Sequence, residues 1–174
     1  ILDIVKILVD EKVDLDRTND HGITPLHLAL MYGHLKIAEY LIKANANIKA
    51  ESKDGRSALH FAVASGSLDI VKEVVSARIG INKKDNCIGN TPLYTAIFLG
   101  KLDIVKFLIE KGAVVNVKNK NQKTPLHCAV LANSLDVVKV LVEKGANINE
   151  ENKGGLTPLL LALKEKHLKI AEYI

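Results

Sequence analysis

The chain is poor in aromatics: Phe and Tyr together make 4% of 174 residues, and there is no Trp. Its core must therefore be aliphatic, drawn from the Leu, Ile, Val and Ala that dominate a 48% hydrophobic fraction. Cysteine is confined to Cys87 and Cys128, too few and too far apart for a disulfide framework or a zinc site, which points to a reducing compartment. No apolar run reaches the roughly 18 residues that a membrane-spanning helix needs, and no signal-peptide pattern is read. These absences predict a soluble, intracellular and cytoplasmic chain without membrane insertion. Charge of one sign is also scarce. Lys and Arg number 24 against 20 Asp and Glu, a net +4, mixed along the chain. Nucleic-acid recognition wants a concentrated basic stripe, so this balance disfavours it.

Chemistry is missing too. The sequence holds no Gly-rich phosphate loop, no G-x-S-x-G and no H-E-x-x-H. Lys153-Gly154-Gly155 reads as a β-turn rather than a phosphate cradle. The reading is no enzyme, no cofactor and no metal.

What is present is a recurring hexad. Thr24-Pro25-Leu26-His27-Leu28-Ala29 returns as Ser57-Ala58-Leu59-His60-Phe61-Ala62 and Thr91-Pro92-Leu93-Tyr94-Thr95-Ala96. It returns again as Thr124-Pro125-Leu126-His127-Cys128-Ala129 and Thr157-Pro158-Leu159-Leu160-Leu161-Ala162, at intervals of 33, 34, 33 and 33 residues. A fixed period of this size marks a stacked array. Each hexad is a helix start: Thr or Ser caps free amides, Pro suits the first helical position, and Leu and Ala begin a buried face. Gly33, Gly100 and Asn133 then supply left-handed turns between two helices, and Asn45, Gly112 and Gly145 end the second.

The hexad, its period and the helix pairs resemble the ankyrin repeat across essentially the whole chain. The resemblance implies an all-α solenoid of helix-turn-helix units with projecting β-turn loops, here called fingers. It divides residues 1–174, as one domain, into a half repeat at 1–22 and repeats beginning near 23, 56, 90, 123 and 156. The second repeat is the least regular: Ser57-Ala58 replaces Thr-Pro, Arg78 stands where Gly ends a second helix, and one extra residue enters the next loop. A distorted loop over residues 77–89 is expected. Both ends fall inside second helices without a polar cap, from which a piece of a longer protein is expected.

His27, His60 and His127 recur once per repeat, a row that invites a metal. Stacked repeats hold them too far apart for one ion, and Tyr94 and Leu160 replace His in two copies. The resemblance implies a structural His that bonds the Thr of its own repeat and nearby backbone. Asp69, Asp103 and Asp136, alternating with Lys72, Lys106 and Lys139, read as a solvated helix face. Cys87 lies near a finger tip beside Lys83 and Lys84 with no His to activate it. Cys128 reads as core filler.

The resemblance also implies that partners bind the concave side, formed by first helices and finger tips. The matching helix positions are Met31, Tyr32, Ser65, Phe98, Leu99 and Leu131. The finger positions are Ile23, Arg56, Asn90, Lys123 and Leu156, with His21, Asp54, Ile88 and Asn121 further out. Met31, Tyr32, Phe98, Leu99 and Leu131 form either an exposed apolar strip for a partner protein or peptide, or packing against the adjacent repeat. Sequence does not decide between the two.

Overall fold

The structure is a computed structural model that describes residues 1–77 and 79–174. Arg78, expected to replace a helix-ending Gly, lies outside the described residues. Helix α1 (Leu2–Asp10) leads into five helix pairs. They are α2 (Pro25–Met31) with α3 (Leu35–Lys43), α4 (Ala58–Ala64) with α5 (Leu68–Ser76), and α6 (Pro92–Phe98) with α7 (Leu102–Glu110). Then come α8 (Pro125–Leu131) with α9 (Leu135–Glu143) and α10 (Pro158–Lys164) with α11 (Leu168–Tyr173). No strand forms among the described residues; a single antiparallel bridge joins Glu51 and Ser57.

Local chemistry sets the helix ends. Thr24, Thr124 and Thr157 accept from the amide three residues on, and Pro occupies the first turn of α2, α6, α8 and α10. At the turn after α2, Gly33 has φ 75°, and the His34 amide reaches back 2.8 Å to the Ala29 carbonyl. That backward bond closes the helix and needs a left-handed residue, which is why Gly, or Asn133 at φ 50° after α8, stands there. Asn45 plays the same part after α3, at φ 64°.

The first helices pack on one another in succession, α2 to α10, and the second helices stack behind them from α1 to α11. The last residue of each hexad, Ala29, Ala62, Ala96, Ala129 and Ala162, is buried. A methyl side chain there lets neighbouring first helices approach more closely than the second helices do, so the first helices line the concave side. Leu26, Leu59, Leu93 and Leu126 fill one side of the core, and Leu41, Val74, Leu108 and Leu141 meet them from the second helices. The Asp and Lys positions of the second helices face outward, as in the 4.0 Å pair of Lys72 with Asp69. Such exposed pairs contribute little.

The fingers are tied into a ladder. Each finger closes on itself by backbone bonds such as Asn119 N–H to Lys123 O at 3.0 Å. Each also bonds to its neighbour: Lys53 N–H to His21 O, Asn86 N–H to Asp54 O, Lys120 N–H to Ile88 O and Lys153 N–H to Asn121 O, at 2.7–3.0 Å. Gly22 allows this approach, because a Cβ at φ 72° would lie 2.8 Å from the Lys53 amide nitrogen. The irregularity expected over residues 77–89 has a definite place. The third finger closes from Asp85 N–H to Asn90 O at 2.9 Å, one residue wider than the finger from Asn119 to Lys123. The extra residue therefore sits within Asn86-Cys87-Ile88-Gly89, and the ladder passes through it unbroken.

A second ladder joins the loops at the other end of the repeats. The amides of Asn47, Val114 and Asn147 donate to the side chains of Asp16, Asn82 and Asn116 at 2.7, 2.9 and 2.8 Å. By the 33-residue register Lys49 stands in the place of Asp16 and Asn82, with Gly80 in the place of Asn47, and an ammonium has no acceptor to offer an amide. Lys49→Asn is expected to add about 1 kcal/mol of stability, the ordinary net contribution of one such bond, read as a higher urea midpoint at unchanged slope. An unchanged midpoint would show that this loop does not limit stability.

Candidate functional site

The hexad histidines make fixed bonds. His27, His60 and His127 are buried, and Nε2 of each lies 2.9–3.1 Å from the carbonyl oxygen of Ala50, Asn90 and Leu156 respectively. A carbonyl only accepts, so Nε2 carries the proton and Nδ1 is left with a lone pair. That lone pair accepts the amides of Thr24, Ser57 and Thr124 at 3.1–3.3 Å. Each imidazole thus ties a helix start to the following loop, with both nitrogens engaged. His27 also lies against Phe61, ring centroids 4.6 Å apart.

Protonation would put N–H against N–H in each. Burial, the largest effect, holds all three histidines below their ordinary 6.5. The carbonyl bonds oppose it in part. A His that stays neutral when folded binds fewer protons than the unfolded chain, so stability rises with pH in that window. The stabilisation is complete above pH 6.5 and drains away as pH falls below it. Urea midpoints at pH 7.5 and pH 5.5 are expected to differ, the lower at pH 5.5; equal midpoints would contradict neutral buried histidines.

Tyr94 does more than repack its site. Its ring is 2% exposed, and its hydroxyl lies 2.6 Å from Val117 O and 2.5 Å from Lys123 O. It reaches the two kinds of carbonyl that the histidines address, one at the start of the finger and one at its end. A phenol has no counterpart to Nδ1, however. Thr91 Oγ1 is accordingly buried without a hydrogen-bond partner among the described residues. Leu160, the other exception, is exposed.

A groove of about 550 Å³ runs along the concave side from Met31 of the first full repeat to the fourth. Met31, Phe98 and Leu131 supply apolar surface, and Arg56, Asn90 and Lys123 border it from the fingers. Phe98 is 82% exposed, Leu131 39% and Leu99 41%, whereas Met31 is half-buried against the core. Cys128 lies in the floor, its thiol pushed up to about 11 by burial and so protonated at neutral pH. Cys87 is exposed in the widened third finger on the same groove. Among the described residues, no three His, Cys, Asp or Glu side chains gather into a metal-holding group.

The family model for ankyrin repeats matches residues 1–85, 45–119, 73–152 and 114–174, which together span the chain. The chain belongs to the ankyrin-repeat family. A curated relative, Alpha-latrocrustotoxin-Lt1a from Latrodectus tredecimguttatus, is 38% identical over 53 residues. That stretch is 30% of this chain and 4% of the toxin.

The positions drawn from the ankyrin resemblance fall into three groups. Met31, Arg56, Asn90, Phe98, Lys123 and Leu131 come together on the groove. Ile23 and Tyr32, the latter 66% exposed, line a separate apolar groove of about 630 Å³ against Val5, Leu8 and Val9 of α1. Ser65, Leu99 and Leu156 line neither. The Ser65 hydroxyl donates to Ala62 O at 2.6 Å and accepts from Ser67 N–H, and Leu156 is half-buried with its carbonyl taken by His127. Asn119 and Asp85, both in the groove lining, escaped the sequence reading. Asn119 anchors its finger through Oδ1 and donates Nδ2–H to Asn90 Oδ1 at 2.9 Å, and Asp85 accepts from Ile88 and Gly89 amides. The recurring Asn19, Asn119 and Asn152 at one ankyrin position was the signal for the first.

No helix among the described residues is long and apolar enough to cross a membrane.

Proposed function

We propose that this ankyrin array captures a partner protein or peptide on its concave helix and finger surface, within the groove bordered by Arg56, Asn90 and Lys123. The observation that carries the reading is Phe98, a large aromatic 82% exposed in the lining of the groove. An exposed apolar patch with a polar rim is what an interface uses as its anchor. The reading treats residues 1–174 as one recognition domain, with repeats beginning near 23, 56, 90, 123 and 156 after a half repeat. It gives the array no catalysis, since the recurrent histidines are engaged at both nitrogens. It places the array in the cytoplasm, where two free cysteines suit a reducing medium.

The test is capture of material from source-cell extract on the immobilised chain, with the extract treated in parallel by nuclease and by protease. Retention that survives nuclease and is abolished by protease is expected. The reverse sensitivity would move the function to nucleic acid.

A second reading is supported by the toxin relative, whose matched stretch is 4% of its own length. Here the array is the recognition arm of a larger protein whose activity lies in other segments, and the groove serves that protein's targeting.

A further inference from the structure

Positive charge is not spread evenly over the fingers. Residues 83–90 and 117–123 hold Lys83, Lys84, Lys118, Lys120 and Lys123 against Asp85, a net +4 that equals that of the whole chain. Four of these lysines have partners. Lys83 pairs with Glu51 at 2.7 Å and Lys118 with Glu150 at 2.6 Å. Lys84 donates to Lys118 O at 2.7 Å, and Lys120 donates to Asn86 O. These bonds tie adjacent fingers together and stiffen the border of the groove.

Lys123 is different, and so is Arg56 on the second finger. Neither has a carboxylate partner within 4.0 Å among the described residues, and both line the groove that holds Phe98. The one carboxylate in that lining, Asp85, already accepts two backbone amides, at 2.8 and 3.0 Å. Asp54, on the same finger as Arg56, is exposed outside the lining and makes no ion pair with it within 4.0 Å. The groove therefore offers an apolar floor framed by two cations without partners.

We infer that the groove takes an acidic segment of a partner protein, with a bulky apolar side chain seated at Phe98 and carboxylates meeting Arg56 and Lys123. This rests on the protein-capture reading above. A guanidinium suits bidentate carboxylate contact, and an ammonium adds a second, less directional charge. A continuous run of phosphates would need a track of free cations rather than two around an apolar floor.

The test is fluorescence anisotropy with the whole chain and labelled synthetic peptides of one length. Three share a Leu-Trp anchor flanked by Glu, Gln or Lys, and a fourth has Glu without the anchor. Oligothymidylate is the anionic control. The Glu-flanked anchor peptide is expected to bind about tenfold tighter than its Gln counterpart. Arg56→Gln with Lys123→Gln, both surface changes, is expected to remove that difference, and Phe98→Ala to weaken both peptides. Equal or tighter binding of the Lys peptide, the anchorless peptide or oligothymidylate overturns the inference, as does no binding by any peptide. If Glu and Gln peptides bind alike and both need Phe98, the acidic preference falls while protein capture stands. Nuclease-sensitive capture from extract removes the capture reading itself.

Discussion

His127→Leu lowers the unfolding free energy by about 3 kcal/mol, seen as a reduced urea midpoint. The side chain is fully buried, Nδ1 accepts Thr124 N–H at 3.2 Å, and Nε2 donates to Leu156 O at 2.9 Å. Leu fills most of the volume but has neither a lone pair nor a donor. A buried amide and a buried carbonyl each lose a partner, at about 1–3 kcal/mol apiece. Because repeats are stabilised by their neighbours, the loss spreads across the joint between the fourth and fifth repeats. The variant should also lose part of the pH dependence below 6.5, since one of three neutral histidines is gone. A change under about 0.5 kcal/mol, the scale of an ordinary surface substitution, would show that the imidazole is not the joint described here.

Phe98→Ala with Leu99→Ala has the opposite signature. Unfolding free energy stays within about 0.5 kcal/mol, while affinity for the captured partner falls at least about tenfold. Phe98 is 82% exposed, so truncating it opens no cavity, and Leu99, 41% exposed, ends helix α6 without lining the groove. Burying a Phe side chain contributes about 1.5–3 kcal/mol, and that gain is realised only when a partner covers it. Leu126, with no exposed surface, is the internal standard: its truncation to Ala should cost about 2–5 kcal/mol. A loss for the double variant on that scale would identify Phe98 and Leu99 as core.

The helices were legible in the sequence because the signals that start and stop them are local. Thr-Pro begins α2, α6, α8 and α10, and left-handed Gly33, Asn45 and Asn133 end or turn helices where expected. The aliphatic core followed from the period, since the same Leu and Ala recur at the same place in each unit. The groove was only partly legible. Met31 and Tyr32 are adjacent, yet one packs against the core on one groove while the other lies 66% exposed on a different one. Which way each faces depends on the neighbouring helix, not on its own residue type. Ser65, a partner-facing position by the resemblance, has its hydroxyl satisfied by its own helix end. Tyr94 stands where other copies have His, and only the fold shows that its hydroxyl meets the next finger as an imidazole would. The excess of Lys over residues 83–90 and 117–123 is visible in the sequence, but only the fold shows that ion pairs and carbonyl bonds occupy four of those lysines and leave Arg56 and Lys123.

Under the proposed function, the hexad holds the array together while partner recognition lies on the groove at Phe98. The most direct measurement is the dissociation constant of the captured partner for the native chain and for the Phe98→Ala, Leu99→Ala variant, with the urea midpoint taken on the same samples. The expected result is at least about tenfold weaker binding at an unchanged midpoint. Unchanged affinity would place recognition elsewhere on the molecule, and a midpoint lowered as far as that of Leu126→Ala would make the exposed strip part of the core.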